Sequence, residues 1–291
     1  MQQTSTASSP EPSNQRGPVI ANTAEADATP IFIGGAGRSG TTLLRVILDS
    51  HSRIACGPEI KIIPGVAQLW GQFQTTFAPH LAGAGISKDD VNRAFRALLN
   101  GIIDPMRRHS GKPRIAEKTP NNVFFFHYLY HMFPNATYVH VVRDGRDVVA
   151  SLLTMDWLGT DGKRIDYTTD ARLAARYWAN SIVAARSFAQ ATQGHSRYIE
   201  LRYEDIVERP EPCLRALFER LGERWEPHVL EYYQRERRLG SESSADAVQK
   251  PIYRTALGRW QTDLDVGQRT AIKEEAGRVL QQLGYCAALD W

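Results

Sequence analysis

A glycine-rich segment near the beginning of the chain has the residue types and spacing of a phosphate-binding loop. Residues 35–42, GAGRSGTT, fit the pattern G-x-x-x-x-G-K-[ST] at every position but one, because Thr41 stands where the lysine belongs. Glycines let such a loop curl until its amide groups point at an anion, and the helix that follows adds the positive end of its dipole. The candidates for contact with a phosphorylated ligand are Arg38, Ser39, Gly40, Thr41 and Thr42.

The missing lysine changes the chemistry that this loop favours. Kinases with a phosphate loop use the lysine on the β- and γ-phosphates and hold Mg²⁺ on the next Ser or Thr. A transferred sulfuryl group carries one negative charge where a phosphoryl group carries two, so amides, an arginine and one further cation can balance it without a metal. The loop therefore favours a phosphosulfate ligand and no metal. A P-loop kinase of small molecules and a non-catalytic nucleotide-binding protein remain as alternatives.

Strand-like and helix-like segments alternate along the chain. Short apolar runs such as residues 30–35 (PIFIGG) and 136–142 (ATYVHVV) each precede a segment with helical spacing, and this happens four times. The alternation predicts an α/β fold with a P-loop-type open parallel sheet flanked by helices, in which ligands bind beyond the carboxyl ends of the strands. Longer helices are predicted over 59–76, 88–109, 170–192 and 265–283, and a mobile polar loop over 240–250.

Size and composition indicate one globular domain. A chain of 291 residues, 42% of them hydrophobic, can bury a substantial core. A net charge of +3 is too small to favour nucleic acid as a partner, and no apolar run reaches the roughly 18 residues of a membrane span. Residues 1–29 are polar and lack the apolar core of a secretory signal, so they are predicted to form a disordered tail. Residues 30–291 are predicted to form a single domain.

Several segments occur in the same order as in a known enzyme family. They are RSGTTLLRVILDSHSRIACGPEIKIIPG from residue 38, EKTP at 117–120, FPNATYVHVVRDGRDVVASLL at 133–153, RYEDIVERPE at 202–211, DAVQKPI at 246–252 and LGRW at 257–260. Over residues 30–286 the chain resembles the tyrosylprotein sulfotransferases and the bacterial sulfotransferases related to them. The pairing of the RSGTT loop with a later R-D-G-R-x-x-x-x-S segment is highly specific. The resemblance implies a sulfotransferase fold and the donor 3′-phosphoadenosine 5′-phosphosulfate (PAPS), without a metal.

The resemblance also implies roles for residues that match the family's donor-binding motifs. The family's 5′-phosphosulfate loop falls on residues 38–42, and its 3′-phosphate clamp falls on Arg143 and Ser151. Tyr203 lies where the family contacts the nucleotide, and Lys250 matches a lysine that reaches the cofactor across a loop. Each has a structural alternative: a surface charge cluster around Arg143, core packing for Tyr203, and an ordinary surface position for Lys250.

The implied catalytic residues are Glu59, Lys118, Arg38 and a serine. Glu59 matches the family's general base, which removes the proton of an acceptor hydroxyl, and Pro58 is expected to start a helix with Glu59 in its first turn. The alternative role for Glu59 is to interact with the helix dipole. Lys118 is expected at the end of a neighbouring parallel strand, where it and Arg38 would stabilise the leaving phosphate. Ser244 is the candidate serine, with Ser241 and Ser243 also open.

Other side chains could act near the acceptor. Candidate bases by residue type are His51, His127, His131 and His140, but none lies in the motif of the sulfotransferases that use a histidine. Trp70 and Trp157 are candidates for lining the acceptor side.

The sequence departs from the resembled family near the acceptor and in its cysteines. Pro58 and Lys61 replace an acidic residue and an arginine, so the acceptor is left open between a peptide tyrosine and a hydroxyl of a small molecule. Cys56 matches a disulfide-bonded cysteine, but its partner position is Glu117, and the three cysteines suit a reducing compartment. We therefore expect a cytoplasmic protein with no membrane span. The sequence does not decide between a monomer and a homodimer.

Overall fold

The computed structural model describes residues 29–159, 161–236 and 242–291. The predicted tail over 1–29 lies outside the described residues except for Thr29, which is buried and whose carbonyl accepts a hydrogen bond from Arg114. Ser241 also lies outside them. Among the described residues, no helix combines the length and the apolar character that a membrane span needs.

A five-stranded parallel sheet forms the centre of the fold. Its strands are β1 (Ile31–Gly34), β2 (Ile54–Ala55), β3 (Arg114–Lys118), β4 (Thr137–Val142) and β5 (Tyr198–Arg202). Their order across the sheet is β2-β3-β1-β4-β5, and every pair is parallel. Strands β3, β1 and β4 are buried along their whole length, as parallel strands covered on both faces should be. The predicted open parallel sheet is confirmed, although the short strand β2 was not predicted.

Helices surround this sheet. They are α1 (Thr41–Ser50), α2 (Ile63–Gln74), α3 (Ala78–Gly83), α4 (Lys88–Ser110), α5 (Phe126–Met132), α6 (Gly145–Leu152), α7 (Ala171–Ala191), α8 (Tyr203–Glu208), α9 (Pro210–Leu221), α10 (Trp260–Asp263) and α11 (Val266–Gln282). Short 3₁₀ helices lie at Pro120–Phe125, Asp166–Thr168, Pro227–Gln234 and Ala247–Gln249. Helices α4, α7 and α11 confirm the predictions over 88–109, 170–192 and 265–283 to within one residue at each end.

Apolar side chains from β1 point to both faces of the sheet. Ile31 and Ile33 pack in a cluster with helices α1 and α9, whereas Phe32 packs in a second cluster with α2, α4 and α5. A third cluster joins α6, α7 and α11. Because successive strand residues face opposite sides, both layers fix the position of β1, and therefore the start of the loop that follows it.

The predicted helix over 59–76 is wrong at both ends. Helix α2 begins only at Ile63, with Pro64 in its first turn, and the shorter α3 follows it. Lys61 has a φ of 58°, a left-handed value that an α-helix cannot contain. Glu59 therefore lies in the loop between β2 and α2 and not in the first turn of a helix, so a role in capping the helix dipole does not apply to it.

Candidate active site

A cavity of about 680 Å³ lies where strands β1, β3 and β4 end. Residues that follow these three strands line it, among them Gly37, Thr119 and Arg143. This is the edge at which ligands bind in open α/β sheets. The predicted site residues on the cavity wall are Arg38, Gly40, Thr41, Thr42, Glu59, Arg143, Ser151, Tyr203 and Ser244. The fold therefore gathers into one cavity residues that are spread over most of the domain.

The loop between β1 and α1 has the backbone shape of an anion site. Gly40 has a φ of 93°, and a Cβ there would lie 2.2 Å from the ring of Tyr203, so glycine is required. Arg38 has a φ of 71°, which is uncommon for a residue with a side chain and is found at functional loops. Helix α1 begins at Thr41 without a side-chain cap on its first amide groups. Such uncapped amides favour a phosphate or sulfate group.

Arg38 has hydroxyl partners but no carboxylate partner among the described residues. Its Nε donates to Ser151 Oγ at 3.0 Å, and its Nη1 donates to Ser244 Oγ at 2.8 Å. Burial, followed by the positive charges of Arg143 and Arg259, lowers the pKa of Arg38. Guanidinium groups that repel one another around a cavity are stabilised when an anion binds between them.

Arg143 and Tyr203 form the wall next to Arg38. Arg143 Nη1 donates to the Arg38 carbonyl at 2.9 Å, and the Arg143 guanidinium lies 4.8 Å from the centre of the Tyr203 ring. The buried Nε of Arg143 has no hydrogen-bond partner among the described residues. Tyr203 both packs against Gly40 and lines the cavity, so the structural and the binding interpretations of this residue are compatible.

Glu59 and Lys118 meet beside the end of β3. Lys118 Nζ donates to Glu59 Oε2 at 2.8 Å. The Lys118 side chain is fully buried and does not line the cavity, whereas Glu59 does. A ligand in the cavity would therefore meet the carboxylate first, with the ammonium group behind it. Lys118 Nζ also lies 3.5 Å from Thr42 Oγ1, which connects it to the anion loop.

Glu242 places a second carboxylate against Lys118. Its Oε2 accepts hydrogen bonds from Lys118 Nζ at 3.0 Å and from Thr42 Oγ1 at 2.9 Å, and its Oε1 accepts one from the Glu59 amide at 3.2 Å. Arg45 Nε lies 3.0 Å from Oε1. Burial would raise the pKa of Glu242, but the charges of Lys118 and Arg45 outweigh it and lower the pKa. Two carboxylates and two cations therefore neutralise one another here.

The sequence profile of the sulfotransferase family matches residues 30–227. The chain belongs to the sulfotransferase family. Protein-tyrosine sulfotransferase A of Caenorhabditis elegans is 31% identical over 268 residues, which cover 88% of this chain and 67% of that protein. The protein-tyrosine sulfotransferase of Drosophila melanogaster is 29% identical over 263 residues, 88% of this chain, but the match spans only 51% of the fly protein. The prediction that the chain is a sulfotransferase enzyme is confirmed.

A solved structure supports the fold of this sulfotransferase. The sulfotransferase domain from the curacin biosynthetic pathway superimposes with a TM-score of 0.65, covering 89% of this chain and 98% of that domain at 24% identity. At that identity the likeness concerns the fold. The predicted sulfotransferase fold is confirmed.

Two predicted donor contacts of the sulfotransferase do not lie on the cavity wall. Ser39 is buried, and its Oγ has no hydrogen-bond partner among the described residues. Lys250 is exposed, and its carbonyl accepts a hydrogen bond from the hydroxyl of Tyr232 at 2.8 Å. Ala247 and Val248 of the preceding 3₁₀ helix line the cavity, whereas Lys250, in extended backbone after that helix, does not. The structure therefore does not place the Lys250 side chain near a donor in the cavity.

Sequence reasoning missed Arg45, Glu242 and Arg259. Arg45 interrupts the apolar residues of α1, and a charged residue at such a position indicates a buried partner of opposite charge. Arg259 lines the cavity while it pairs with Asp263 at 2.6 Å, and it belongs to the LGRW segment that contributes to the family resemblance. Glu242 gave no local signal, because its partners lie far away in the sequence.

The histidine candidates are engaged elsewhere. None of the four lines the cavity. His51 and His140 are fully buried, and burial lowers the pKa of His140. His131 is exposed and stacks on Trp70. Trp70 is buried and does not line the cavity. Within the described ranges, no group of three His, Cys, Asp or Glu residues could hold a metal ion.

Three aromatic rings form part of the wall on the side of Glu59. The rings of Tyr167 and Tyr177 stack with centroids 4.2 Å apart, and the charge of Glu59 contributes to a raised pKa at both, after the larger effect of burial. Trp157 lines the cavity and donates from Nε1 to Ser243 Oγ at 2.7 Å. Tyr177 Oη accepts a hydrogen bond from the Gly37 amide at 2.9 Å and donates to Asn121 Oδ1 at 2.9 Å.

Glu117 lies under the end of β3 and fixes the turn that follows it. Its carboxyl accepts hydrogen bonds from Thr119 Oγ1 at 2.8 Å and from Asn122 Nδ2 at 2.5 Å. Asn122 also donates to the carbonyl of Ile33, which ties the turn to β1. Burial raises the pKa of Glu117 to about 7, despite these hydrogen bonds.

Proposed function

We propose that this sulfotransferase uses PAPS as its donor and transfers the sulfuryl group to an acceptor hydroxyl. The observation that carries the proposal is the joint presence, on one cavity wall, of Arg38 without a carboxylate partner among the described residues and of Glu59 backed by Lys118. Bound PAPS supplies a sulfonate: its S–O bond to the phosphate breaks, an S–O bond to the acceptor oxygen forms, and adenosine 3′,5′-bisphosphate (PAP) leaves.

The residues present fit this donor. The uncapped amides at the start of α1, including those of Thr41 and Thr42, the hydroxyl of Thr41 and the guanidinium of Arg38 suit a 5′-phosphosulfate. Arg143 and Ser151 would hold the 3′-phosphate. Arg143 Nε is a buried donor without a partner among the described residues, as expected where a ligand completes the site. Tyr203 would flank the nucleoside.

The chain's own residues would handle the proton and the developing charge. Glu59 lines the cavity, so we assign to it the removal of the acceptor proton. Arg38 and Lys118 would stabilise the charge that builds on the departing phosphate. Ser244 accepts a hydrogen bond from Arg38, and we assign to it the orientation of that guanidinium.

A phenol is the acceptor that the wall near Glu59 suits. Trp157, Tyr167 and Tyr177 present aromatic surfaces there, and aromatic pairs are favourable at close range. The relatives named above are protein-tyrosine sulfotransferases. We therefore propose a phenolic hydroxyl, on a peptide tyrosine or on a small molecule.

Binding of PAP separates the proposal from a P-loop kinase. We expect PAP to raise the melting temperature equally with Mg²⁺ and with EDTA, because arginines and amides would carry the charge compensation. A kinase would instead be stabilised by ATP with Mg²⁺ and little by PAP. That second pattern would reject the proposed donor.

Transfer itself needs a panel of acceptors. ³⁵S-labelled PAPS would be incubated with an acidic tyrosine peptide, simple phenols and alkyl alcohols, and labelled products would be counted. We expect labelled phenols. A protein that binds PAP but labels no acceptor in the panel would be a nucleotide-binding protein that performs no transfer.

A further inference from the structure

We propose that Glu242, held by Arg45, is a positioning residue that fixes Lys118 and Glu59 for sulfuryl transfer. The proposal rests on the function proposed above. It assigns Glu242 no contact with the reacting atoms. Its effect would pass through the base and the cation that Glu242 contacts.

The contacts of Glu242 join the parts of the site that must keep a fixed geometry. One carboxylate binds the ammonium of Lys118, the hydroxyl of Thr42 in the anion loop and the main-chain amide of Glu59. Two residues later, Ser244 accepts a hydrogen bond from Arg38. The loop that carries Ser244 is therefore anchored to the base, the lysine and the anion loop by a single side chain.

Arg45 explains why the carboxylate stays in place. Arg45 is almost completely buried, and besides its ion pair with Glu242 it donates from Nη1 to the Cys56 carbonyl at 3.2 Å. Cys56 precedes the loop that carries Glu59. Removing Glu242 would leave the buried Arg45 without its carboxylate, with the Cys56 carbonyl as its remaining acceptor among the described residues. An uncompensated buried charge is strongly unfavourable.

The charges also give Glu242 a role during turnover. Lys118 is fully buried between two carboxylates, Glu59 and Glu242. When Glu59 takes the acceptor proton, its charge is neutralised and Lys118 loses one of its two ionic partners. Glu242 then remains as the ionic partner that holds the ammonium in place while charge builds on the leaving phosphate.

The same contacts suggest a competing explanation, in which Glu242 occupies the place of the donor's anion and must leave. Two observations favour positioning. Glu242 itself lines the cavity, but Arg45 and Lys118, the cations that hold it, do not, so its charge is already balanced from behind the wall. Arg38 does line the cavity, and it binds Ser244 and not Glu242. The two explanations predict opposite effects on donor affinity, because removal of a competitor strengthens binding and removal of a positioning group does not.

The test compares Glu242→Gln with Glu242→Asp and with Asp246→Asn, an exposed carboxylate on the same loop. PAP affinity would be measured by calorimetry. The values of kcat and of KM for PAPS would be measured in transfer assays with the best acceptor of the panel. For Glu242→Gln we expect kcat to fall about 10- to 100-fold, as when groups that orient catalytic residues are removed. PAP affinity should stay within about threefold of wild type. Glu242→Asp should recover part of kcat, and Asp246→Asn should match wild type.

Tighter PAP binding by Glu242→Gln, or an unchanged kcat, would overturn the proposal. A crystal of the wild-type protein with PAP provides a readout that needs neither activity nor a folded variant. Glu242 within hydrogen-bond distance of Lys118 beside bound PAP supports positioning, and a displaced Glu242 rejects it. Wild-type protein that sulfates nothing in the panel would count against the proposed function, and the crystal would still decide on Glu242.

Discussion

The donor side of the cavity and the base side arrange their charges in opposite ways. On the donor side Arg38 donates hydrogen bonds to two hydroxyl groups. Its pKa is lowered mainly by burial and further by the charges of the neighbouring arginines. On the base side Lys118 and Arg45 are paired with Glu59 and Glu242 at 3.0 Å or less. Arg38 on the donor side therefore has no carboxylate partner among the described residues, which suits an anionic ligand, whereas the charges on the base side already neutralise one another.

This contrast predicts which measured quantity each side controls. Substitutions on the donor side should change the affinity for PAPS and PAP. Substitutions on the base side should change kcat while donor affinity is retained. The following experiments test that division, beginning with the largest expected effect.

Glu59→Gln should abolish most of the transfer. A positioned general base contributes about 10²- to 10⁴-fold, so we expect kcat to fall roughly 1,000-fold. The measurement is ³⁵S transfer from PAPS to the best acceptor, and the control is the PAP-induced rise in melting temperature, which should persist. A variant that keeps more than a tenth of the wild-type rate would remove Glu59 from the role of base.

Arg38→Met should weaken PAP binding about 10- to 100-fold, because hydrogen bonds to charged groups contribute about 1.5–3 kcal/mol. Calorimetry with PAP measures the loss. Arg176→Met is the matched control, since Arg176 is exposed, pairs with Glu275 and does not line the cavity. Equal affinity of the Arg38 variant and the control would contradict a donor side that depends on this guanidinium. Arg38→Lys should recover only part of the affinity, because an ammonium cannot reproduce the two-pronged contact.

Gly40→Ala should destabilise the anion loop by about 2 kcal/mol, because the new Cβ combines a φ of 93° with a position 2.2 Å from the Tyr203 ring. The melting temperature should fall by about 5 °C for a domain of this size. Gly222→Ala is the control, with a φ of 73° and no atom within 4 Å of the added Cβ. If both variants lose the same stability, the close contact with Tyr203 contributes nothing.

The last prediction concerns Glu117 and the pH dependence of stability. Burial raises its pKa from 4.5 to about 7 in the folded protein. Between these two values the folded state binds the proton more tightly than the unfolded state, so its contribution to stability is lost as the pH rises toward 7 and above. Unfolding by denaturant at pH 5 and pH 8 should show Glu117→Gln losing about 2 kcal/mol less than wild type over this interval. An equal loss in both proteins would place the titration elsewhere.

The donor side could be predicted from the sequence because its signals are local. The loop over 35–42 contains its glycines, its arginine and the start of its helix within eight consecutive positions, and the strand before it is a continuous apolar run. Arg143 and Ser151 also lie within a single strand-to-helix segment. Local segments of this kind fix both the backbone and the direction in which side chains point.

The base side could be predicted only in part, because tertiary contacts form it. Glu59 was identified, but the helix predicted around it was wrong. Lys61 adopts a left-handed conformation, which helix propensities do not predict for a lysine. Glu242 is separated from Glu59 by 183 positions and from Lys118 by 124, and no spacing rule covers such distances. In the same way, the sequence did not show that Arg259 lines the cavity and that Lys250 does not.

With the phenolic acceptor and the base proposed above, a tyrosine beside Glu59 would compete with the acceptor as a substrate. Tyr177 lies in that position, yet its oxygen already accepts the Gly37 amide and its proton is committed to Asn121. Burial raises the pKa of this phenol, so its nucleophilic form is disfavoured. Tyr177 is thereby protected from self-modification, and the hydrogen bond that protects it also holds the first turn of the donor loop.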